Sequence, residues 1–455
     1  MKKANLKDIP SVDKVLLEFK SYKLNNNKYL KFLINSELML IRGKIKKGAY
    51  KNSSRDILTK VKTTILRKLS KNLINVINGT GIILHTGLGR APFNSRILRE
   101  VAKNLDGYVN LEFNLESGKR GDRQDHVRKY ICAICESESA LVVNNNAAAV
   151  MLAINEFAKG GEVIISRGEL VEIGGSFRIP DIIKSSGAIL KEVGTTNRTH
   201  IEDYVNAINE NTKLILSVHT SNYIIKGFTK SIQLKELVSI GKKFEIPVMV
   251  DWGSGSLIEN NKKNLPMDIP INRIMKDNPD VVTFSGDKLI GGPQSGIIVG
   301  NGDWIKNFQR NTFYRGFRCD KITICLLENT LRTYQSNLST NENLTLRMLS
   351  TSRKRLISRG EKIISLIVKS KMKLLGITLE DSFVEAGSGS LPENKIESVA
   401  LKFNSKKFDC SDLAQKFRTS EIPVIGYSKK NKFYIDLKAV LPNQISKLAQ
   451  SINAI

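Results

Sequence analysis

The pattern of hydrophobic and polar positions changes twice along the chain. Up to about residue 70 apolar residues recur with helical spacing, after a capping Ser11 and again over 54–75, with little strand pattern. From about 76 to 340 short apolar strands alternate with helical stretches, and a long helical stretch over roughly 321–375 leads into a smaller segment with strands at 398–403 and 432–437. We therefore predict a helical domain over 1–70, a large domain over 71–340 and a small α+β domain over 341–455.

The strands of the middle region are apolar at consecutive positions. Examples are 140–143, 162–165, 214–218, 247–250 and 281–284. Strands without alternation are typical of a parallel sheet covered by helices on both faces. The predicted fold class is therefore α/β, with a mostly parallel sheet flanked by helices. Such sheets bind ligands at the carboxyl ends of their strands.

Charge changes the interpretation of the first segment. The chain has 455 residues and a net charge of +27, and residues 1–71 hold 19 basic against 5 acidic residues, which is +14. A concentrated positive field attracts polyanions such as nucleic acids. A lysine-rich solvated surface is the alternative, and the abundance of asparagine supports it. Charge alone leaves both interpretations open.

The cysteines and the N-terminus bear on the compartment. The five cysteines lack the spacing of a disulfide framework, which is typical of a reducing environment. The N-terminus does not resemble a signal peptide, and no run of about 18 apolar residues occurs, so we expect a cytoplasmic protein. Cys132 and Cys135, three apart in a helical stretch, are expected to pack in the core. No metal site is predicted.

Polar residues follow two of the predicted strands. Asn144, Asn145 and Asn146 come between the strand 140–143 and a helix start, which makes a natural anion site, although an ordinary capped turn is the alternative. Asp251 directly follows another strand. A buried carboxylate there needs a partner, either a protonated pyridine nitrogen or the cation of a structural salt bridge.

Lys288 ends the segment 283–288, after the last of these strands. A lysine in such a place loses its proton readily and forms a Schiff base with an aldehyde, and Ser285 is placed to hold a phosphate oxygen. A solvated lysine is the alternative for Lys288 taken alone. The order of anion turn, Asp251, Ser285 and Lys288 resembles that of fold-type-I pyridoxal-phosphate enzymes, and it predicts pyridoxal 5'-phosphate on Lys288.

Long collinear motifs resemble the bacterial L-seryl-tRNA(Sec) selenium transferase (selenocysteine synthase) family over nearly the whole chain. They are 76–92, 110–123, 167–180, 250–257, 283–288 and 315–321. The resemblance implies a homo-oligomer, a ring-shaped decamer built as a pentamer of dimers, whose N-terminal domain grips the tRNA. It implies the conversion of L-seryl-tRNA(Sec) to L-selenocysteinyl-tRNA(Sec) with selenophosphate, through an aminoacrylyl intermediate.

The resemblance also assigns roles to individual residues. Lys288 carries the cofactor and moves the α-proton, Asp251 supports the ring nitrogen, and Asp287 either tunes Lys288 or caps the turn. An arginine group binds the selenophosphate, and its members are Arg90, Arg123, Arg315 and Arg318. Further contacts to the cofactor or the pocket are assigned to Asn145, Asn146, Ser221, Asn222, Ser285, His219, Thr195 and Thr196.

Three positions depart from the family pattern. Gly87 stands where asparagine is common, and Tyr427 and Lys438 stand where arginine is usual. Two alternatives remain, a pyridoxal-phosphate-dependent ammonia-lyase of a phosphorylated amino sugar on the same scaffold, and a non-catalytic RNA-binding relict. The basic N-terminal segment argues against the first. The intact set of Asp251, Ser285 and Lys288 argues against the second.

Overall fold

The computed structural model describes residues 5–20, 27–48, 54–69, 72–173, 177–259, 268–335, 339–387 and 395–455. Part of the motif 167–180, residues 174–176, lies outside this range. The chain divides into two compact units, Met1–Val76 and Ile77–Ile455. The assignment of three functional domains stays a prediction.

The first unit is helical. Ser11 accepts a hydrogen bond from the backbone of Lys14 at the start of the first helix, as its capping role predicts. The third helix ends at Leu69, earlier than the predicted run over 54–75, and Leu73 beyond it is exposed. Apolar side chains spaced three and four apart form one buried core. The helices are α1 (Val12–Leu17), α2 (Asn27–Lys46) and α3 (Ser54–Leu69).

The second unit alternates strands and helices. Its strands are β1 (Ile77–Asn78), β2 (Phe113–Asn114), β3 (Lys119–Arg120), β4 (Ser139–Val143), β5 (Glu162–Ser166), β6 (Glu172–Ile173), β7 (Phe177–Arg178), β8 (Ile189–Val193), β9 (Thr212–Val218), β10 (Val248–Asp251), β11 (Val281–Ser285), β12 (Gly296–Gly300), β13 (Ile377–Val384), β14 (Ile396–Phe403), β15 (Val424–Ile425), β16 (Tyr427–Lys429) and β17 (Lys432–Asp436).

The helices of the second unit lie between and after these strands. They are α4 (Ser95–Asn104), α5 (Asp125–Cys135), α6 (Asn146–Ala158), α7 (Ile179–Ser185), α8 (Ile201–Ala207), α9 (Leu234–Phe244), α10 (Ile271–Met275), α11 (Gly302–Arg310), α12 (Thr312–Phe317), α13 (Lys321–Arg332), α14 (Ser339–Glu342), α15 (Leu344–Ser350), α16 (Arg353–Ser365), α17 (Lys369–Leu375), α18 (Cys410–Arg418) and α19 (Ile445–Ala454).

The main sheet has the strand order β4-β12-β11-β10-β9-β5-β8 among the described residues. Neighbours from β11 to β8 are parallel, whereas β12 runs antiparallel to both β11 and β4. The predicted mostly parallel sheet is confirmed. The direction of β12 was not predictable, because its residues are buried on both faces like those of the parallel strands.

Helices cover both faces of this sheet. On one face Val143 and Met249 pack with Ala149 of α6. On the other face Val250 packs with Leu327 of α13 in a separate core. Because both faces are covered, the carboxyl edge of the strands is left for ligands, and the polar residues that follow the strands meet there.

A second, antiparallel sheet of order β13-β14-β17-β16 lies in the C-terminal part. The predicted strands over 398–403 and 432–437 are confirmed as β14 and β17. Strand β13 was missed, because the three consecutive polar residues Glu380–Ser382 interrupt its apolar positions. No helix in the described part of the chain is long and apolar enough to cross a membrane.

Candidate active site

The carboxyl ends of β4, β9, β10 and β11 bring the predicted site residues together. The backbone N–H of His219, which follows β9, donates to the carbonyl of Asp251 at the end of β10 over 3.0 Å. Asn146 begins α6 directly after β4, and its side chain reaches Asp251. Lys288 follows β11 and lies 5% exposed. A sheet edge therefore collects residues that are far apart in sequence.

Asp251 is a buried carboxylate with polar support. Its Oδ1 accepts hydrogen bonds from Nδ2 of Asn146 at 2.8 Å and from Oγ1 of Thr283 at 3.1 Å. Burial raises the pKa of Asp251, while these two donors and the charge of Lys288 oppose the shift. A carboxylate held in this way can stabilise a cation brought to it, such as a protonated ring nitrogen.

Lys288 is placed as a nucleophilic amine. Burial lowers its pKa, the charge of Asp251 opposes this shift, and the nearby Arg90 adds to it. An amine that is easily deprotonated can attack an aldehyde carbon. A Cβ built on Gly253 lies 3.6 Å from Nζ of Lys288, so the glycine leaves room beside the amine.

Asp287 forms an ion pair with Arg90. Nη1 of Arg90 lies 2.6 Å from Oδ2 of Asp287, and the side chains are 35% and 8% exposed respectively. Asp287 raises the pKa of Lys288 while Arg90 lowers it, so the pair changes the charge around the amine little. The ion pair therefore favours the interpretation that Asp287 acts on the surroundings of Lys288 over the alternative that it only caps the turn.

Two of the other predicted arginines meet at a carboxylate that the sequence interpretation missed. Glu112 accepts from Nε of Arg123 at 2.8 Å and from Nη1 of Arg318 at 3.3 Å. The hydrogen bond from Arg123 lowers the pKa of Glu112. Arg315 lies exposed on α12, outside this cluster. The position of Glu112 inside the motif 110–123 was the only signal in the sequence.

Some predicted contacts serve the local structure. The side chain of Asn145 accepts from the backbone of Ala148 at 2.8 Å, which caps α6. Asn222 donates from Nδ2 to the carbonyl of Glu172 at 2.7 Å. Oγ1 of Thr195 donates to the carbonyl of Arg198 within its own turn. Ser285 ends β11 and is buried.

An aromatic pair lies at this edge. The rings of His219 and Trp252 stack with centroids 3.8 Å apart and an interplanar angle of 5°. Both residues line a cavity of about 500 Å³ that Thr196 also lines. Burial lowers the pKa of His219, although the charge of Asp268 opposes the shift. Sequence reasoning placed His219 here but missed Trp252.

The unpaired polar atoms of this region fit a polar aromatic cofactor. Buried atoms without a hydrogen-bond partner among the described residues include Asn146 Oδ1, Ser221 Oγ, Asn222 Oδ1 and Trp252 Nε1. Buried polar groups are normally paired, so a cluster of unpaired ones indicates a ligand. Together with Lys288 and Asp251 they suit a pyridine aldehyde that carries a phosphate.

The three departures have separate local surroundings. Nζ of Lys438 is buried and donates to the carbonyl of Thr351 at 2.8 Å. Tyr427 stacks on Tyr434 with ring centroids 5.3 Å apart. Gly87 lies exposed in the short 3₁₀ turn Thr86–Leu88.

The two cysteines expected in the core lie on α5. Cys135 is buried in an apolar cluster, and Cys132 packs against the same cluster. Burial raises the pKa of both thiols, which keeps them protonated. Within the described residues no group of three or more His, Cys, Asp or Glu is arranged to hold a metal ion.

Comparison with known proteins reveals relatives along the whole chain. A family model described as L-seryl-tRNA selenium transferase matches residues 76–441. The L-seryl-tRNA(Sec) selenium transferase of Caldanaerobacter subterraneus subsp. tengcongensis is 44% identical over 440 residues, which cover 95% of this chain and 94% of that protein. The protein of that name from Carboxydothermus hydrogenoformans is 41% identical over 448 residues, or 97% of this chain and 95% of that protein.

A solved structure supports the fold. The structure of D-glucosaminate-6-phosphate ammonia-lyase superposes with a TM-score of 0.59 at 18% identity, and covers 86% of this chain and 97% of that chain. At this identity the likeness concerns the fold alone. The predicted fold-type-I scaffold, a mostly parallel sheet flanked by helices with a small C-terminal α+β part, is confirmed.

Proposed function

The chain belongs to the L-seryl-tRNA selenium transferase family, and on that premise we propose how its site carries out the family's reaction. The reaction converts L-seryl-tRNA(Sec) to L-selenocysteinyl-tRNA(Sec), and the cofactor is pyridoxal 5'-phosphate. The proposal depends on one observation. Lys288 and Asp251 are both buried at the carboxyl edge of the sheet, and Asn146 donates a hydrogen bond to Asp251 there.

The cofactor would be held by residues of several strand ends. Lys288 would hold its aldehyde carbon through Nζ, and Asp251 would stabilise a positive charge on its ring nitrogen. Ser221, Asn222 and Asn146 offer the unpaired polar atoms around it. When bound, pyridoxal phosphate draws electrons away from Cα of the attached amino acid, so that the α-proton becomes acidic and a β-substituent can leave.

The remaining work falls to side chains of this chain. Nζ of Lys288 takes the α-proton of the seryl group, because burial lowers the pKa of the released amine and so favours the form that can accept a proton. The same amine can return a proton to the departing β-hydroxyl, which leaves as water. The stacked rings of His219 and Trp252 line the cavity at this edge.

Selenophosphate is the proposed selenium donor. Its selenium adds to the β-carbon of the seryl-derived group, and its phosphate group is released after the selenium–phosphorus bond is cleaved by water. The arginine group Arg90, Arg123, Arg315 and Arg318 would form the site of this phosphate group, and the guanidinium edges that Glu112 does not use would hold its oxygens in pairs.

The cytoplasm is the proposed compartment, and the basic first segment is the proposed tRNA-binding domain. The concentrated charge of this segment, 19 basic against 5 acidic residues over 1–71, suits contacts to the phosphate backbone of the tRNA. Lys28, Lys31 and Lys44 lie exposed on α2, where they can reach an RNA surface. These contacts would add affinity that a small substrate does not need.

Assembly into a ring-shaped decamer, a pentamer of dimers, is also proposed. Tyr108, Phe113 and Leu115 are exposed by 107%, 49% and 73% on the segment that carries Glu112. Large apolar side chains grouped on a surface are typical of subunit interfaces. Light scattering of the purified protein should give the mass of ten chains, and a monomer would contradict the assembly.

The activity is tested with purified protein, seryl-tRNA(Sec) and selenophosphate. The wild-type protein should be yellow and form selenocysteinyl-tRNA, whereas Lys288→Ala should be colourless and inactive. Lys447→Ala, which changes an exposed lysine of α19, is the matched control and should behave as the wild type. A wild-type protein that makes no selenocysteinyl-tRNA would refute the function.

The tRNA interface is tested with two charge reversals in the full-length chain. Changing Lys28, Lys31 and Lys44 to Glu should weaken tRNA binding by about 10-fold or more, because phosphate contacts dominate the affinity. The control changes the exposed Lys362, Lys369 and Lys373 to Glu, which alters the net charge equally. Equal loss in both variants would leave no special role for the first segment.

A further inference from the structure

Glu112 gathers three arginines on one carboxylate. Nη2 of Arg120 lies 2.7 Å from Oε2, while Arg123 and Arg318 both bind Oε1. The exposed fractions differ widely, with 79% for Arg120, 14% for Arg123 and 25% for Arg318. Arg120 extends into solvent, and the two less exposed arginines against one carboxylate leave a local net charge of +1. The cluster is therefore suited to an anion.

The donors of Arg123 are largely occupied within the fold. Its Nε and Nη2 both donate to Oε1 of Glu112, and its Nη1 donates to the carbonyl of Cys319 at 2.6 Å. The paired edge that a guanidinium normally offers to an incoming anion is thus used by Glu112. Arg123 acts here as a fixed part of the structure.

Arg318 differs from Arg123 because one edge of its guanidinium group is not used by the described residues. Its Nη1 donates to Glu112, but its buried Nε has no hydrogen-bond partner among the described residues. A buried cationic N–H without an acceptor is costly, so an acceptor is expected there. The Nε edge of Arg318 is the part of this cluster that can take two oxygens of a ligand.

Backbone contacts connect this edge with the cofactor region. Arg318 forms an antiparallel bridge with Val143, the last residue of β4, and the N–H of Asn144 donates to the carbonyl of Phe317 at 2.9 Å. Asn146, which holds Asp251, follows two residues later. Arg318 therefore emerges beside the turn that begins α6.

We propose that Glu112 is a positioning residue, which holds Arg123 and Arg318 side by side so that the Nε edge of Arg318 binds the phosphate group of the selenium donor. The inference rests on the proposed function. Two adjacent guanidinium groups repel each other, and the carboxylate between them offsets that repulsion and fixes both orientations. Without Glu112 the two guanidinium groups separate, and the Nε edge of Arg318 is no longer oriented to bind the phosphate group.

The experiment measures steady-state kinetics of Glu112→Gln with seryl-tRNA(Sec) and selenophosphate. KM for selenophosphate should increase by about 10-fold, and inhibition by inorganic phosphate should weaken by a similar factor. At saturating selenophosphate kcat should stay within about 2-fold of the wild type, because the groups around Lys288 are unchanged. Glu112→Asp, which keeps the charge, should recover part of the affinity.

Two further variants distinguish a positioning role of Glu112 from a general loss of structure. Arg120→Ala removes the exposed arginine from the same carboxylate and should leave KM unchanged. Arg318→Lys should raise KM for selenophosphate as Glu112→Gln does, and the double variant should add little, since both act on one interaction.

Several outcomes would overturn the inference. One is an unchanged KM for selenophosphate in Glu112→Gln. Another is a shift confined to KM for seryl-tRNA or to the affinity for pyridoxal phosphate, which would place a tRNA phosphate or the cofactor phosphate at Arg318. An inactive wild-type protein would instead refute the proposed function itself, so the two failures are distinguishable.

Discussion

Nδ2 of Asn146 donates a hydrogen bond to Oδ1 of Asp251 over 2.8 Å, between residues that lie 105 positions apart. The bond ties the start of α6 to the end of β10. It fixes the carboxylate of Asp251, while the amide oxygen of Asn146, Oδ1, stays without a partner among the described residues. Asn146 thus links the anion turn with the residue that supports the ring nitrogen.

Asn146→Ala should therefore weaken the cofactor's binding. The variant removes one of two donors to Asp251, and a lost hydrogen bond to a charged group costs about 1.5–3 kcal/mol, which is about 10-fold or more in Kd. Titration of the apoprotein with pyridoxal phosphate, followed by absorbance, measures the change. Thr283→Val removes the other donor and should have a similar effect. An unchanged Kd in both variants would contradict the role of these bonds.

Glu169→Gln should alter how stability depends on pH. The carboxyl group of Glu169 accepts from the N–H of Val218 at 2.8 Å, and burial raises its pKa from 4.5 to about 7. The folded chain thus binds this proton more tightly than the unfolded chain does. The resulting stability is complete below about pH 4.5 and is lost as the pH rises through about 7.

Urea unfolding of the wild type and Glu169→Gln at pH 5 and pH 8 measures this effect. Relative to the variant, the wild type should lose about 2 kcal/mol of unfolding free energy over that interval, a value reduced to allow for partial solvent exposure. Parallel pH dependences would show that Glu169 does not titrate in this range.

Lys438 should produce the opposite pH dependence. Burial lowers its pKa from 10.5 to about 8, although the charge of Asp436 opposes this shift. Between these values the unfolded chain binds more protons, so stability rises with pH. The wild type should gain about 2 kcal/mol relative to Lys438→Met from pH 8 to pH 10. Lys438→Arg keeps its proton throughout and should show no such gain; a gain in it would point to another group.

Gly296→Ala should disturb the cofactor turn through packing. A Cβ at Gly296 would lie 2.2 Å from the carbonyl oxygen of Asn145 and 2.9 Å from Cα of Asn146. The backbone must move, so we expect a loss of about 3 kcal/mol of unfolding free energy together with weaker cofactor binding. Gly43→Ala on α2 is the control, since a Cβ there meets no described atom within 4 Å.

Thermal unfolding and cofactor titration test both glycine variants. Gly43→Ala should raise the stability by about 1 kcal/mol through helix propensity and leave the cofactor's affinity unchanged. Gly296→Ala with wild-type affinity would mean that the turn at Asn145 tolerates the added methyl group.

The sequence by itself determined the α/β class and the residues of the sheet edge. Strands of consecutive apolar residues must be buried on both faces, and polar residues after such strands must meet at one edge. Asn146, Asp251 and Lys288 could therefore be assigned before any coordinates. Strand β13 escaped this reasoning, because the polar run Glu380–Ser382 interrupts its apolar positions.

Only the tertiary structure decided which charges meet. Arg90 and Asp287 lie 197 positions apart, and Glu112 and Arg318 lie 206 apart. Local pattern encodes whether a residue is buried or exposed, whereas the partner of a charged side chain depends on how distant segments are brought together. For that reason the sequence could name the arginines, but only the fold showed that Glu112 holds two of them and that one edge of Arg318 meets no acceptor among the described residues.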